Sequence, residues 1–310
     1  MMAGDAPDRR DRYRGCLLGL ACGDAVGTTL EFMPRFDVMP IRDMVGGGPF
    51  ALPAGAWTDD TSMALCLATS LIHCNGFDAT DQMNRYCNWA DYGYLSSTGY
   101  CFDIGSIVRE ALSRYRETGD PFSGPTDPQR AGNGCLMRLA PVPMFFGGQP
   151  EQLAHAAMES ARTTHGASEC LEASRLFAMQ LAAALRGASK EEIISEHGCH
   201  STEPAVIRLG YGAWRAMDED DIAGTGYVIA SLEAALWCFW HTDSFEAAIL
   251  RAANLGADAD TTAAICGQIA GAYYGAAAIP AHWRERLVMA DEITDLADRL
   301  FALSESAGGS

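Results

Sequence analysis

Apolar residues recur every three to four positions through most of this chain, and runs of alternating β-branched residues are nearly absent. That period belongs to amphipathic helices and argues against a sheet-based architecture. It predicts helices over 63–72 ("MALCLATSLI"), 151–162, 169–186, 228–240 and 245–253, all rich in alanine and leucine. The expected fold is all-α: a single compact domain of a dozen or more helices packed on one core.

With 310 residues and 48% hydrophobic content, the chain can bury such a core in one domain. We place the domain at 12–303, after a flexible N-terminus over 1–11 and before a disordered tail over 304–310, where "SESAGGS" is the only low-complexity stretch. The basic "RRDRYRG" at 9–15, followed by "CLLGLACGDAVG", has the outline of a signal peptide. Its apolar run is short, however, and Asp24 interrupts it before any cleavage site, so it reads as a buried helix. No apolar stretch approaches the roughly 20 residues that span a bilayer, so a soluble protein without a membrane partner is expected.

A further helix is expected over 261–275, where Gly267, Gly271 and Gly275 stand four residues apart. Each helical glycine costs about 1 kcal/mol relative to alanine. Three on one face imply that a neighbouring backbone comes close, which makes this helix central. The Pro- and Gly-rich segments 33–56 and 118–134 lack any period and read as long, function-bearing loops.

Eleven cysteines are scattered without a C-x-x-C pair, and Cys16, Cys22, Cys66, Cys238 and Cys266 lie in apolar surroundings. They read as reduced core thiols in a cytoplasmic protein. "HGCH" at 197–200 offers too few ligands for zinc and reads as an exposed loop. The formal charge of −18, with no basic stripe, argues against nucleic acid as the main partner. Some of those acids are available to hold cations.

Two stretches concentrate acids at apparent helix starts: "WTDDTS" at 57–62 and "GADADTTAA" at 256–264. One carboxylate or threonine caps a helix and gains about 0.3–1 kcal/mol from the macrodipole. Capping does not use Asp59 and Asp60 together with Thr58 and Thr61, nor Asp258 and Asp260 together with Thr261 and Thr262. Adjacent buried acids repel unless something positive lies between them. Mg²⁺ and Mn²⁺ take this set of hard oxygens in octahedral arrangement. If the two starts meet, Thr58, Asp59, Asp60, Asp258, Asp260 and Thr261 supply enough oxygens for two ions. Spacing alone leaves their meeting open.

The strings "GCLLGLACGDAVGTTLEF" (15–32), "WTDDTSMAL" (57–65), "FDIGS" (102–106), "GNGCLMRLAP" (132–141), "TTH" (163–165), "GTGYVIASLEAALW" (224–237) and "GADADTTAAICGQIAGAYYG" (256–275) resemble the ADP-ribosylglycohydrolase family, which includes the dinitrogenase reductase-activating glycohydrolases. They occur in the family's order and span about residues 12–300. The resemblance implies an all-α fold with a central cleft holding two Mg²⁺ (or Mn²⁺) ions, and an activity that removes ADP-ribose from a modified target. By position it assigns Thr58, Asp59, Asp60, Asp258, Asp260 and Thr261 as metal ligands. Glu31 matches an acid in a loop that covers the metals in some members, and Asp103 an acid near the ribose with a part in catalysis. Asn133, Gly134, Gly224, Gly226 and Tyr227 match segments around the diphosphate and adenosine, and His165 a histidine lining that pocket. Trp237, Phe239 and Trp240 read as core. Cys135 stands where members commonly carry serine, which weakens one phosphate contact if that hydroxyl makes it.

Hydrolysis at the anomeric carbon passes through an oxocarbenium-like transition state. Two ions orient the ribose hydroxyls and activate a water, with Asp59 and Asp60 positioning it and Asp103 or Glu31 handling protons. The expected substrate is an ADP-ribosylated protein, cleaved by a monomeric enzyme at the N-glycosidic bond of ADP-ribosyl-arginine with ADP-ribose as product. O-linked ADP-ribose on serine, O-acetyl-ADP-ribose or nucleic acid, a metal-dependent phosphohydrolase, and a non-catalytic ADP-ribose binder are the alternatives.

Overall fold

The computed structural model describes residues 6–37, 39–195 and 201–307, so the "HGCH" segment at 197–200 lies outside the described residues. The chain order is α1 (Arg9–Gly27), α2 (Asp59–Cys74), α3 (Ala79–Tyr92), α4 (Ser106–Thr118), α5 (Pro141–Phe146), α6 (Pro150–Arg162) and α7 (Ser168–Leu185). It continues with α8 (Lys190–Ile194), α9 (Pro204–Gly210), α10 (Val228–Trp240), α11 (Phe245–Ala253), α12 (Ala259–Tyr274), α13 (Ala281–Arg286) and α14 (Ala290–Ala307). Two isolated antiparallel bridges, Gly47–Leu52 and Gly132–Tyr227, are the only β pairing among the described residues. The all-α expectation holds, and no described helix is long and apolar enough to cross a membrane. The regular helices run from Arg9 to Ala307, beyond the 12–303 expected for the domain at both ends.

The centre is a pair of helices buried on all sides. Every residue of α1 from Gly15 to Gly27, and of α12 from Ala259 to Ala272, is buried. A Cβ built on Gly15, Gly19, Gly23 or Gly27 would collide with the carbonyl oxygen of Gly271, Gly267, Ala263 or Ala259 respectively. Gly267 and Gly271 face the carbonyls of Gly19 and Gly15 in the same way. The pairing runs in opposite directions along the two helices, so the end of α1 abuts the start of α12. Gly275 departs from the expectation: with φ 81° it caps α12 rather than continuing it. Arg12 donates to the carbonyls of Ala272 (3.1 Å) and Tyr273 (2.5 Å), placing a cation at the C-terminal end of α12 where the macrodipole favours one.

Around this pair, α10 and α11 pack on α12, α14 on α1 and α5, and α6 on α7. Trp237 and Phe239 of α10 are buried in this core, as expected. A smaller core between α2, α3 and α4 holds Met63, Met83, Tyr86, Trp89, Val108 and Leu112. The loop over 33–56 is pinned to this scaffold. Asn254 exchanges hydrogen bonds with the Ile41 backbone (2.8 and 3.0 Å), and Asp43 accepts from Trp283 Nε1 (2.6 Å) and Arg286 (2.9 Å).

Candidate metal centre and substrate cleft

The antiparallel α1–α12 contact sets Asp24, in the last turn of α1, beside the first turn of α12. Helix α2 starts at the same point. Its N-cap, Thr58, makes no capping bond with its own side chain. Asp24 does that work from α1, accepting from the Thr58 N–H (2.9 Å), the Thr61 N–H (3.0 Å), Thr58 Oγ1 (2.9 Å) and Thr61 Oγ1 (2.6 Å). With the orphan amides of α2 satisfied from outside, Asp59 and Asp60 are released from capping. Sequence reasoning missed Asp24, which it read only as an interruption of an apolar run. The signal was there: an acid set within glycines spaced by four.

The two acidic helix starts meet. Thr58 Oγ1 lies 3.5 Å from Asp260 Oδ2, and Thr261 Oγ1 lies 3.3 Å from Asp60 Oδ1. Carboxylate oxygens of Asp24, Asp60 and Asp260 fall within 4.8 Å of one another, as do those of Glu31, Asp103 and Asp260. Asp260 belongs to both groups. Asp258, the N-cap of α12, is held by Asn133 Nδ2 (2.6 Å) and by its own N–H on the Gly224 carbonyl (3.0 Å).

Among the described residues, these acids have no positive partner. Asp60 Oδ2, Asp260 Oδ1 and Glu31 Oε2 are buried without any hydrogen bond. Burial, then Asp260 and Asp24, hold the Asp60 carboxyl well above its usual range, and burial, then Asp258 and Asp103, do the same to Asp260. Burial, then Asp103 and Asp260, raise Asp59. Burial also pushes Asp24 to about 6 against its four hydrogen bonds, and Asp103 to about 7 with help from Asp24 and Asp258. Glu31, pressed by burial and then by Asp260 and Asp103, rises to about 11. Orphaned, hard, like-charged oxygens at this density fit divalent cations with oxygen preference.

A cleft of about 280 Å³ opens over the cluster. Asp59, Asp258, Asp260 and Thr261 line its floor, Glu31 and Asp103 a lip beside Asp260, and Gly132, Asn133, Gly134, His165 and Gly226 a wall. Asp60 lies beneath the floor, fully buried. Glu31 owes its place to backbone pairing between the loop and the turn before α12: the Phe32 N–H donates to Ala257 O and the Ala257 N–H to Met33 O, both at 2.7 Å.

The glycine turn sits directly on His165, whose Cε1 would lie 2.8 Å from a Cβ on Gly134. His165 pairs through Nδ1 with Thr164 Oγ1 (2.8 Å), and burial, with Arg138 and Arg130 behind it, lowers its pKa to about 3. It is a neutral brace at the cleft wall. Asn133 ties this wall to the floor, bonding Ser231 (3.1 Å) as well as Asp258, while its N–H donates to Gly226 O (3.1 Å). Two expected residues stand back from the cleft. Gly224 packs against Thr262, whose Oγ1 would lie 2.8 Å from an added Cβ. The Tyr227 ring is 42% exposed at the rim, its hydroxyl donating to Glu169 (2.7 Å). Cys135 faces away from the cleft: its buried thiol lies 3.8 Å from the carbonyls of Gly132 and Cys170. A serine-to-cysteine exchange there touches the underside of the turn.

A model of the ADP-ribosylglycohydrolase family matches residues 5–309. The chain is 45% identical over 291 residues to the ADP-ribosylarginine hydrolase Tri1 of Pseudomonas putida (strain GB-1), which covers 94% of this chain and 78% of that protein. It is 43% identical over 294 residues to the protein of the same name from Serratia proteamaculans (strain 568), covering 95% and 80%. A solved structure described as an ADP-ribosylglycohydrolase-related protein complex superposes with a TM-score of 0.85 at 45% identity, covering 96% of this chain and 99% of that one. Matches that run nearly end to end, on a fold whose acidic helix starts converge in one cleft, make this protein a member of the ADP-ribosylglycohydrolase family.

Proposed function

We propose that this protein hydrolyses the N-glycosidic bond of ADP-ribosyl-arginine on a modified protein and releases ADP-ribose. The observation that carries the reading is the convergence of Asp24, Asp60 and Asp260 with Glu31 and Asp103 around unpartnered oxygens in a cleft. The choice of arginine is supported by the 45% identity to a protein named ADP-ribosylarginine hydrolase.

Two Mg²⁺ (or Mn²⁺) ions are assigned to Thr58, Asp59, Asp60, Asp258, Asp260 and Thr261, an assignment supported by the meeting of the two helix starts through Thr58 with Asp260 and Thr261 with Asp60. Bound there, they would supply Lewis-acid charge to orient the ribose hydroxyls and to activate water at neutral pH. The chain's own groups do the rest. Thr58 Oγ1 gives its proton to Asp24, which leaves only lone pairs to offer a cation. Asn133 fixes the Asp258 carboxylate, so that ligand needs little reordering. Asp59 faces the cleft from the floor and positions the attacking water, with Asp60 behind it. Asp103 and Glu31 stand at the lip, where one of them passes a proton to the departing nitrogen. The backbone around Gly134 and Gly226, braced by His165, receives the diphosphate, with Tyr227 at the adenosine rim. Such local donors are needed because the net charge of −18 repels a diphosphate at long range. The ten described cysteines are all free, which supports a reducing, cytoplasmic setting.

The test is release of free ADP-ribose from an arginine-ADP-ribosylated protein, with Mg²⁺ or Mn²⁺ and with chelator in parallel. Metal-dependent release is expected. Release only from a serine-linked or O-acetyl substrate would reassign the linkage, and tight ADP-ribose binding without turnover on any of them would make the protein a binder.

A further inference from the structure

Two acid–aromatic dipeptides face one another at the cleft lip, Glu31-Phe32 and Phe102-Asp103. Each contains a non-glycine residue in the left-handed region, Phe32 at φ 61° and Asp103 at φ 56°. For an aromatic residue that conformation is a genuine outlier, and it persists only where the surroundings enforce it. At Phe32 two backbone bonds do so, its own N–H on the Ala257 carbonyl and the Ala257 N–H on the Met33 carbonyl. The result is a division of labour within each dipeptide. Glu31 is 3% exposed and reaches the carboxylates of Asp103 and Asp260, whereas Phe32 beside it is 65% exposed.

Phe50, from the pinned loop, bridges the two dipeptides. Its ring centroid lies 6.5 Å from Phe32 and 5.3 Å from Phe102, and Tyr100 extends the row at 5.9 Å from Phe102. Tyr100 is 61% exposed. Core packing does not account for a row whose two ends stand in solvent, nor for backbone strain that keeps one of them there.

We propose that Phe32, Phe50, Phe102 and Tyr100 form a platform for the guanidinium side of the scissile bond, receiving the arginine of the modified protein while Glu31 and Asp103 face the ribose. This rests on the arginine-linked reading above and adds how arginine is selected. A guanidinium is planar and weakly hydrated, and it stacks on aromatic faces. A departing serine hydroxyl or acetate gains nothing from such a face. The acidic surface favours the same cationic partner at longer range.

The experiment titrates butylguanidinium and its uncharged isostere butylurea into the protein saturated with ADP-ribose, by calorimetry, for the wild type, Phe32→Leu and Tyr100→Leu. The wild type should prefer butylguanidinium, and Phe32→Leu should reduce that preference by about 3- to 30-fold. Its affinity for ADP-ribose and its melting temperature should stay unchanged. In turnover, kcat/KM on an arginine-linked substrate should fall by a similar factor. Equal binding of the two probes by the wild type, or a preference that survives in both variants, overturns the platform. A guanidinium preference in a protein that leaves ADP-ribosyl-arginine intact sinks the linkage reading while the platform stands.

Discussion

Helix α1 meets aspartate at both ends, and the two ends treat it in opposite ways. Near its start, Arg10 and Arg14 each grip Asp298 of α14 with two hydrogen bonds of 2.6–2.9 Å, and these pairings hold the Asp298 carboxyl well below the usual carboxylate range. Near its end, Asp24 shares a buried space with Asp60 and Asp260, and no cationic side chain among the described residues pairs with them; burial drives the Asp24 pKa up, and burial with repulsion from neighbouring acids does the same to Asp60 and Asp260. Where a carboxylate fastens two helices, the chain encodes its counter-charge. Where Asp24 joins the acidic cluster, hydrogen bonds from α2 hold it in place of a counter-charge, and its neighbours Asp60 and Asp260 each keep an oxygen bare.

The sharpest test of this contrast removes a bare oxygen. Asp60→Ala should lower kcat by about a thousandfold or more, because the cation proposed there would carry several kcal/mol of transition-state stabilisation, and should weaken Mg²⁺ binding measured by calorimetry. Unchanged turnover would mean the cluster is not the reaction centre. The glycine contact sets the acidic end of α1 against α12, so Gly267→Ala should disturb the cluster through the backbone. Its Cβ meets backbone that has no room to move, and we expect a loss of about 3 kcal/mol in chemical denaturation, with Mg²⁺ affinity falling too.

The third test separates function from stability. In chelator, Asp260→Asn should raise the free energy of unfolding by about 1 kcal/mol or more, since it relieves an unpaired buried charge while abolishing activity. A destabilised variant would show that Asp260 supports the fold without metal. The smallest effect is expected at the paired end. Asp298→Asn should cost about 1 kcal/mol at pH 7, the upper range for partly exposed pairs. A depressed native pKa stabilises above the unfolded value of about 4 and ceases to do so as pH falls through the native one. The deficit of Asp298→Asn should therefore shrink steadily below pH 4. A deficit independent of pH would assign it to packing.

The helices were legible because their apolar period is long and regular, and the acidic starts of α2 and α12 because capping has no use for paired carboxylates. What periodicity does not carry is which helix start meets which. Gly267 and Gly271 pointed to a close partner without naming it. The answer lay in Gly15, Gly19, Gly23 and Gly27, whose spacing obeys the same rule and went unread. Asp24 was hidden for a related reason: its four hydrogen-bond donors lie more than 30 residues away in the chain, so nothing local marks it as satisfied. Asn133, Gly134 and His165 were singled out only through the family resemblance, since a lone histidine and a glycine turn are common in any core.

Most helix pairs adjust to mutation by trading volume across their interface, a larger side chain here for a smaller one opposite. The α1–α12 contact has no such currency, because carbonyl meets bare Cα along its whole length. The distance between Asp24 and the start of α12 is consequently a property of the main chain, insensitive to repacking elsewhere. A change in the loop over 33–56, which is pinned to the scaffold through Asn254, Trp283 and Arg286 and not through this joint, can therefore alter what enters the cleft and leave the spacing of α1 and α12 untouched.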